Sequence, residues 1–259
     1  MTEPLISIVT PTYLTSREIL ARTFASLKAQ TYRNWEWVIW DDSPGEEVWR
    51  QIWGFAADER FTIRAHRSLT PSRGQIGRVK RQAFMVSEGE ILVELDHDDE
   101  LTPDALQEIY QAFSDPTIGF AYSDWCEINA AGDWCRYPEG WAFGYGSDYE
   151  IARGRWVMKA PEINRTTLSH IVSAPNHVRA WRASTYRSIG GHDPNLPIAD
   201  DYDLVVRTAL ATRIAYIPKL LYYQHIGSHT AQRQRNDLIQ RLVADISSRY
   251  SDQLDELFS

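Results

Sequence analysis

The sequence predicts an α/β fold in which helices flank a mostly parallel central sheet and the C-terminal half is less regular. Over roughly the first hundred of the 259 residues, short apolar runs with strand character alternate with stretches of helical periodicity. This order is typical of a parallel sheet with helices on both faces. The apolar runs also end in polar or acidic clusters, which is where ligands bind on such sheets.

The predicted elements of the first half follow one another at short intervals. Ser16 is a good helix-capping residue, and residues 102–104 (TPD) combine a cap, a first-turn proline and an acid, so each predicts a helix start. In chain order we expect strands over residues 5–10, 35–40, 61–65 and 91–95, and helices after Ser16, over 48–57, over 78–86 and after 102–104.

The second half gives weaker signals. Residues 138–170 are rich in Gly, Trp and Tyr and lack periodicity, so both a mobile acceptor loop and irregular packing are open. The other expected elements are a strand over 120–123, a hairpin over 125–137 that turns near 131–133, a helix over 200–211, short strands over 214–217 and 220–223, and a helix over 231–250.

Composition and charge exclude several classes of protein. A net charge of -8 argues against a general nucleic-acid-binding protein, which would present a basic face. No apolar run approaches the ~20 residues of a membrane span, and the N-terminus lacks the pattern of a signal peptide. We therefore expect a cytoplasmic protein without an integral membrane segment. Cys126 and Cys135 are expected to be reduced, a bridge across the predicted hairpin being the alternative.

The most informative run is residues 92–99 (LVELDHDD), where an apolar strand ends in three carboxylates within four residues. Asp96, Asp98 and Asp99 would repel one another, and a hard divalent cation such as Mg²⁺ or Mn²⁺ would relieve that repulsion. Such an ion commonly also binds the phosphates of a substrate. The alternative is an acidic loop that caps the helix after it.

Six short motifs are spread over residues 5–230. They are residues 9–13 (VTPTY), 30–32 (QTY), 41–43 (DDS), 96–99 (DHDD), 190–193 (GGHD) and 200–204 (DDYDL). In this order and spacing they resemble the motifs of family 2 inverting glycosyltransferases with the GT-A fold. The resemblance implies one domain over 1–230, with a nucleotide-sugar-binding half over 1–100 and an acceptor-binding half over 101–230, followed by a C-terminal helical extension over 231–259.

The resemblance also implies the residues that bind the donor. Tyr13 would stack on the nucleobase beside Thr12, and Asp42 would accept hydrogen bonds from the base or ribose. Lys80 matches an arginine that helps to hold the diphosphate, although this chain departs from the family pattern there and lysine lacks the bidentate fork of arginine. The alternatives are a rim aromatic for Tyr13, a turn for Asp42 and a solvated basic helix face for Lys80.

The remaining motifs imply the metal site and the base. By resemblance, Asp98 would be a direct metal ligand, Asp96 would face the ribose or the water shell of the metal, and His225 would lie near the metal unless it is structural. An inverting transfer needs one base that takes the proton of the acceptor hydroxyl. Asp201 matches the position of that base, and its alternative role is to cap the following helix together with Asp200.

The predicted function is therefore metal-dependent transfer of a sugar, with inversion, from a nucleotide-sugar to a hydroxyl group. We expect Mn²⁺ or Mg²⁺ as cofactor, a UDP-sugar as donor, and a glycan, a lipid-linked molecule or another hydroxyl compound as acceptor, which leaves open a place at the inner face of a membrane. The alternatives are a non-catalytic protein of this fold that binds a nucleotide-sugar or glycan, and a nucleotidyltransferase. The latter would show a glycine-rich basic signature near the N-terminus, which residues 10–16 lack.

Overall fold

The structure is a computed structural model that describes residues 3–58, 60–227 and 235–259. The strands are β1 (Ile6–Thr12), β2 (Trp35–Asp41), β3 (Thr62–Arg67), β4 (Ile91–Glu94), β5 (Glu100–Leu101), β6 (Ile118–Asn129), β7 (Ser147–Ala152), β8 (Arg155–Lys159), β9 (Arg179–Arg182) and β10 (Arg213–Ile226). The α-helices are α1 (Arg17–Lys28), α2 (Glu47–Ala56), α3 (Ile76–Met85), α4 (Ala105–Ala112), α5 (Ala183–Ser188), α6 (Asp200–Ala211), α7 (Asn236–Arg249) and α8 (Ser251–Leu257).

The strands form one sheet in the order β3-β2-β1-β4-β9-β6-β10-β5. Parallel pairing joins β1 to β2 and β4, β2 to β3, and β6 to β10. The antiparallel strand β9 lies between β4 and β6 and so connects the two parallel groups. The predicted α/β class with a mostly parallel sheet is confirmed.

The first half forms the predicted elements because its apolar spacing matches their geometry. Ser16 caps α1, and its hydroxyl accepts a hydrogen bond from the backbone N–H of Ile19 at 3.4 Å. Leu20, Phe24 and Leu27 then form the buried stripe of this helix. Nearly every residue of β1, β2 and β4 is buried, as expected for central parallel strands with helices on both faces.

The second half departs from the prediction in two strands. The two short strands predicted over 214–217 and 220–223 are one strand, β10, whose pairing with β6 shifts register between Ile217 and Leu220. Pro218 lies in this shift, and because proline has no N–H for the ladder, an irregularity is where a strand can hold it. The predicted hairpin over 125–137 is mainly the long strand β6, and its return is reduced to a single bridge between Ile128 and Trp134.

Two further regions contain more regular structure than their sequence indicated. Residues 138–170 include the hairpin of β7 and β8, which pairs with β6 between Trp125 and Met158, and two short 3₁₀ helices. Strand β9 and helix α5 had no predicted counterpart. Cys126 and Cys135 are both free thiols.

The C-terminal helices pack against the rest of the chain. Ile239, Val243 and Ile246 of α7 and Leu254 of α8 are buried members of the main hydrophobic core. Of the helix predicted over 231–250, residues 231–234 lie outside the described residues. Within the described ranges, no helix combines the length and the apolar character needed to cross a membrane.

Candidate active site

A cleft of about 1310 Å³ opens where β1, β4 and β10 end. Every site residue predicted from the sequence lines this cleft: Thr12, Tyr13, Asp42, Lys80, Asp96, Asp98, Asp201 and His225. The parallel strands explain the convergence, since strand ends far apart in sequence meet at one edge of the sheet. Asn236, Ile239 and Gln240 of α7 also line the cleft.

One end of the cleft carries the residues predicted to hold a nucleobase. Tyr13 is 50% exposed, so its ring is available for stacking. Thr12 is buried, and its hydroxyl is 2.9 Å from that of Thr15. Asp42 donates its backbone N–H to the Thr12 carbonyl, and its carboxylate accepts the N–H of Ser72 at 3.0 Å and the hydroxyl of Ser72 at 2.6 Å. Ser72 therefore fixes the orientation of Asp42.

The acidic loop after β4 is held from both sides. The hydroxyl of Thr23 on α1 donates to the carbonyls of His97 and Asp99, at 2.9 Å and 3.0 Å. From the other side, the Asp99 carboxylate accepts the Tyr222 hydroxyl and the His225 backbone N–H, each at 2.7 Å. Burial, and then the nearby acids, raise the pKa of Asp99 well above its usual range. Such a carboxyl favours a cation beside it.

Three side chains of this region converge closely enough to hold a metal ion. One ligand atom from each of Asp96, Asp99 and His177 lies within 4.8 Å of the others. Burial lowers the pKa of His177 well below its usual range, so its ring is neutral and keeps a lone pair for a ligand. Carboxylate oxygens with an imidazole nitrogen suit Mn²⁺, and carboxylate oxygens alone suit Mg²⁺. The donor set therefore fits a divalent cation.

The two residues predicted as metal ligands have different surroundings. Asp98 lines the cleft with a side chain that is 40% exposed, so it can turn towards a bound ion. His225 also lines the cleft, but its Nε2 lies 2.8 Å from the Glu100 carboxylate. With Nε2 on that carboxylate, Nδ1 is the ring nitrogen that His225 has left for a metal.

Behind the acidic loop lies a buried network of charges. The Lys80 ammonium on α3 forms an ion pair with Glu94, the last residue of β4. Burial alone would lower the pKa of Lys80, but the carboxylate of Glu94 raises it above its usual range. Arg179 binds Glu94 through two hydrogen bonds, at 3.0 Å and 3.1 Å. Lys80 thus lines the cleft but already has a carboxylate partner, so a phosphate would have to share it.

Asp201 stands in the first turn of α6, facing the cleft. Its Oδ2 accepts a hydrogen bond from Arg179 at 3.0 Å, and its Oδ1 accepts the backbone N–H of Tyr202 at 2.8 Å. Burial would raise the pKa of Asp201, but Arg179 and then Lys80 lower it below its usual value. Asp201 is therefore ionised at neutral pH and able to accept a proton.

Asp200 next to it has the opposite character. Its side chain is buried, and burial is the main cause that raises the pKa of Asp200 to about 7. Its Oδ2 is 3.8 Å from Nε2 of His192. The pKa values of the two neighbouring acids thus shift in opposite directions, and Arg179 is the main cause that lowers the pKa of Asp201.

A glycine allows α3 to approach the segment before α6 closely. A Cβ at Gly77 would lie 2.4 Å from the carbonyl oxygen of Asp193 and 2.9 Å from Cβ of Asp200. Only a residue without a side chain fits there. This contact brings Lys80, one turn further along α3, to the start of α6.

Sequence reasoning missed three residues of the cleft region: Glu94, Arg179 and His177. Glu94 left a signal, because a charge inside an apolar strand implies a buried partner. Arg179 and His177 gave no such signal in the sequence, since the strand that holds Arg179 had no predicted counterpart.

The comparisons with known proteins agree with this geometry. The family model described as "Glycosyl transferase family 2" matches residues 7–184. The chain belongs to glycosyl transferase family 2. The match begins within β1 and runs through the acidic loop to α5, so it contains the predicted donor residues and Asp98. His225 and the predicted base Asp201 lie beyond it.

Two relatives extend over most of the chain. The O-antigen biosynthesis protein RfbC of Myxococcus xanthus is 28% identical over 227 residues, which cover 87% of this chain and 16% of that protein. The protein y4gI of Sinorhizobium fredii is 28% identical over 225 residues, 85% of this chain and 22% of that protein. This family 2 chain therefore spans only a small part of the length of either relative.

Solved structures confirm the GT-A fold. A fragment of S. aureus TarS in complex with UDP-GlcNAc superposes with a TM-score of 0.70 at 18% identity, covering 97% of this chain and 71% of that one. The mannosyltransferase PcManGT of Pyrobaculum calidifontis, in complex with GDP-Man and Mn²⁺, gives a TM-score of 0.62 at 16% identity, covering 93% and 62%. At these identities the likeness concerns the fold alone.

Proposed function

We propose that this family 2 chain transfers a sugar from a nucleotide-sugar to an acceptor hydroxyl group, with inversion at the anomeric carbon. The observation that carries the proposal is the position of the ionised carboxylate of Asp201, in the same cleft as the acidic loop of Asp96, Asp98 and Asp99. One group can take the acceptor proton while the other holds the donor. Family membership and the fold support this assignment.

The donor lies along the side of the cleft formed by β1 and β4. Tyr13 stacks on the base, and Asp42, which Ser72 holds in place, accepts hydrogen bonds from the base or ribose. A UDP-sugar is the proposed donor, because the TarS fragment in the comparison binds UDP-GlcNAc. PcManGT was solved with GDP-Man, which makes a GDP-sugar the second donor to test.

Asp96, Asp98 and Asp99, with a histidine, would hold Mn²⁺ or Mg²⁺ beside the diphosphate. The ion would neutralise the charge that develops on the departing nucleoside diphosphate. Lys80 lines the cleft and would share its ammonium between Glu94 and a diphosphate oxygen.

The transfer is a single displacement. The acceptor oxygen forms a bond to the anomeric carbon as the bond from that carbon to the phosphate oxygen breaks, and the bonding electrons leave with the diphosphate. Asp201 takes the hydroxyl proton as the new bond forms, which raises the nucleophilicity of the attacking oxygen. Because attack and departure occur on opposite faces, the configuration inverts.

A donor screen tests this function directly. Wild-type protein with Mn²⁺ is incubated with UDP- and GDP-sugars, with water as the acceptor of the sugar, and release of the free nucleoside diphosphate is measured. We expect turnover of at least one UDP-sugar and its loss after chelation by EDTA. Donor binding without any turnover would instead support a non-catalytic nucleotide-sugar-binding protein.

The variant Asp201→Asn tests the base. Because the amide cannot accept the proton, we expect kcat to fall by about 10²- to 10⁴-fold while donor binding stays close to that of the wild type. Asp245→Asn, which changes an exposed acid of α7, is the matched control and should retain wild-type kcat. Unchanged turnover in Asp201→Asn would refute the assignment of the base.

A further inference from the structure

Arg179 is a buried arginine that none of the family motifs contains. It stands at the start of β9, only 4% exposed, and its guanidinium contacts two carboxylates. Nε and Nη2 donate to the two oxygens of Glu94, at 3.1 Å and 3.0 Å, and Nη1 donates to Oδ2 of Asp201 at 3.0 Å. The planar fork of arginine can make these contacts together, whereas the single ammonium of lysine cannot.

The charges around Arg179 are balanced. Lys80 and Arg179 carry two positive charges, and Glu94 and Asp201 carry two negative charges, so the buried group has no net charge. Burial would raise the pKa of Glu94, but Arg179 and then Lys80 hold it well below its usual range. Other titratable groups that interact with this cluster are Asp96, His177, Asp200 and His192.

We propose that Arg179 is the positioning residue for the base Asp201, and that Glu94 fixes Arg179 in the orientation this requires. The inference rests on the proposed function. Donors on different oxygens, Arg179 on Oδ2 and the Tyr202 N–H on Oδ1, prevent the Asp201 carboxylate from rotating. Its side chain is still 27% exposed, so the carboxylate keeps lone pairs for an acceptor hydroxyl.

A direct role of Arg179 on the donor phosphates fits less well. Each of its three guanidinium nitrogens already donates to a carboxylate, and the side chain is 5% exposed. A phosphate would be limited to the one remaining N–H on each of Nη1 and Nη2, and it would compete with the Glu94 and Asp201 carboxylates for the same charge. The geometry therefore directs Arg179 towards the base.

The variant Arg179→Met removes the contact while keeping an apolar stem. We expect kcat to fall by about 100-fold, because loss of orientation at a reacting group has effects of that size, while donor KM changes by less than about threefold. The probe is the nucleotide-sugar turned over in the donor screen. Arg182→Met is the matched control, since Arg182 lies on the same strand and donates to the backbone carbonyls of Phe113, Asp115 and Ile118, away from the cleft.

A second readout needs no substrate. Carboxyl carbons of ¹³C-labelled aspartate are titrated by NMR, and the Asp201 signal is identified by its loss in Asp201→Asn. In Arg179→Met, we expect the titration midpoint of the Asp201 carboxyl to be higher than in the wild type by about one pH unit or more, since an adjacent opposite charge has effects of that size. Added guanidinium ion, well below denaturing concentrations, should restore part of the turnover of Arg179→Ala.

These outcomes separate the possible explanations. An unmoved Asp201 titration, or an Arg179→Met enzyme with wild-type kcat, would overturn the role of Arg179 alone. If the wild type turns over no nucleotide-sugar, the proposed function fails instead. If Arg179→Met does not fold, Arg179→Lys is the variant that tests the proposal. We expect its kcat to be about tenfold lower at unchanged donor KM, because a single point charge replaces the planar fork of arginine. Wild-type kcat in that variant would contradict the proposal.

Discussion

The rings of His177 and His225 both reach the cleft beside the acidic loop, but their nitrogens have different neighbours. A ring nitrogen of His177 lies within 4.8 Å of oxygens of Asp96 and Asp99, and the ring stacks on Tyr222 with centroids 3.9 Å apart. Nε2 of His225 instead lies within hydrogen-bonding distance of the Glu100 carboxylate. The structure thus groups His177 with the carboxylates of the acidic loop.

We therefore expect His177→Gln to weaken Mn²⁺ binding by at least about tenfold, a typical effect of disturbing a metal site. His225→Gln should change the affinity by less than about threefold. Electron paramagnetic resonance of free Mn²⁺ in a titration of each variant measures both values. The reverse result, a large loss for His225→Gln alone, would support the ligand inferred from the family resemblance.

Individual site residues were predictable where the side chain belongs to a strand end. The acidic clusters that contain Asp42 and Asp98 could be placed at the site because an acid that follows an apolar run stands at the edge of the sheet, where ligands bind. Asp201, in the first turn of α6, was named from the family resemblance. Arg179 could not be named, since its role depends on β9, a strand of four residues with two arginines. Its partner Glu94 shows only that some cation must be near.

At the scale of elements, the site depends on how closely α3 lies to the start of α6. Gly77 is in the first turn of α3, and a Cβ there would come within 2.8 Å of the Leu196 carbonyl oxygen as well as close to Asp200. Both clashes involve the segment that leads into α6, so a larger residue would push Asp200 and Asp201 away from Lys80.

Gly77→Ala should therefore destabilise the fold by about 1–3 kcal/mol, the usual cost of overpacking, and should lower kcat as Asp201 moves. Gly54→Ala is the matched control. Gly54 lies inside α2 with nothing within 4 Å of its Cβ position, so alanine there should stabilise by up to about 1 kcal/mol. Urea unfolding compares the two variants. Equal stability of both would show that α3 and α6 do not meet this closely.

Elements were predicted best where hydrophobic periodicity alone determines them. Helix α6 was predicted over its observed range, because its apolar spacing is regular and its first turn is acidic. Strand β10 was predicted in two pieces, since Pro218 interrupts the pattern although pairing with β6 resumes beyond it. Tertiary pairing thus overrides a local break that sequence reasoning counts as an end.

At the scale of the whole molecule, the C-terminal helices pack as part of the domain. Helix α7 lines the cleft through Asn236, Ile239 and Gln240, and the Arg235 side chain donates to the carbonyls of Gly74 and Pro197. From α8, Asp255 pairs with Arg165 at 2.5 Å. Residues 235–259 of the predicted extension therefore contribute to both the core and the cleft, and we propose that the extension forms one folding unit with residues 1–230.

If so, a change in α8 should alter the stability of the whole chain. Leu254 is fully buried, so Leu254→Ala should lower the free energy of unfolding by about 2–5 kcal/mol and shift a single cooperative thermal transition. Leu257, on the same helix but 46% exposed, is the matched control, and Leu257→Ala should stay within about 0.5 kcal/mol of the wild type. If the extension folded independently, Leu254→Ala would instead produce a separate transition at lower temperature and leave the main transition unchanged. Because α7 lines the cleft, donor binding should be lost in the same transition. A bound nucleotide-sugar should therefore raise the temperature of that single transition, which calorimetry with and without the nucleotide-sugar would detect.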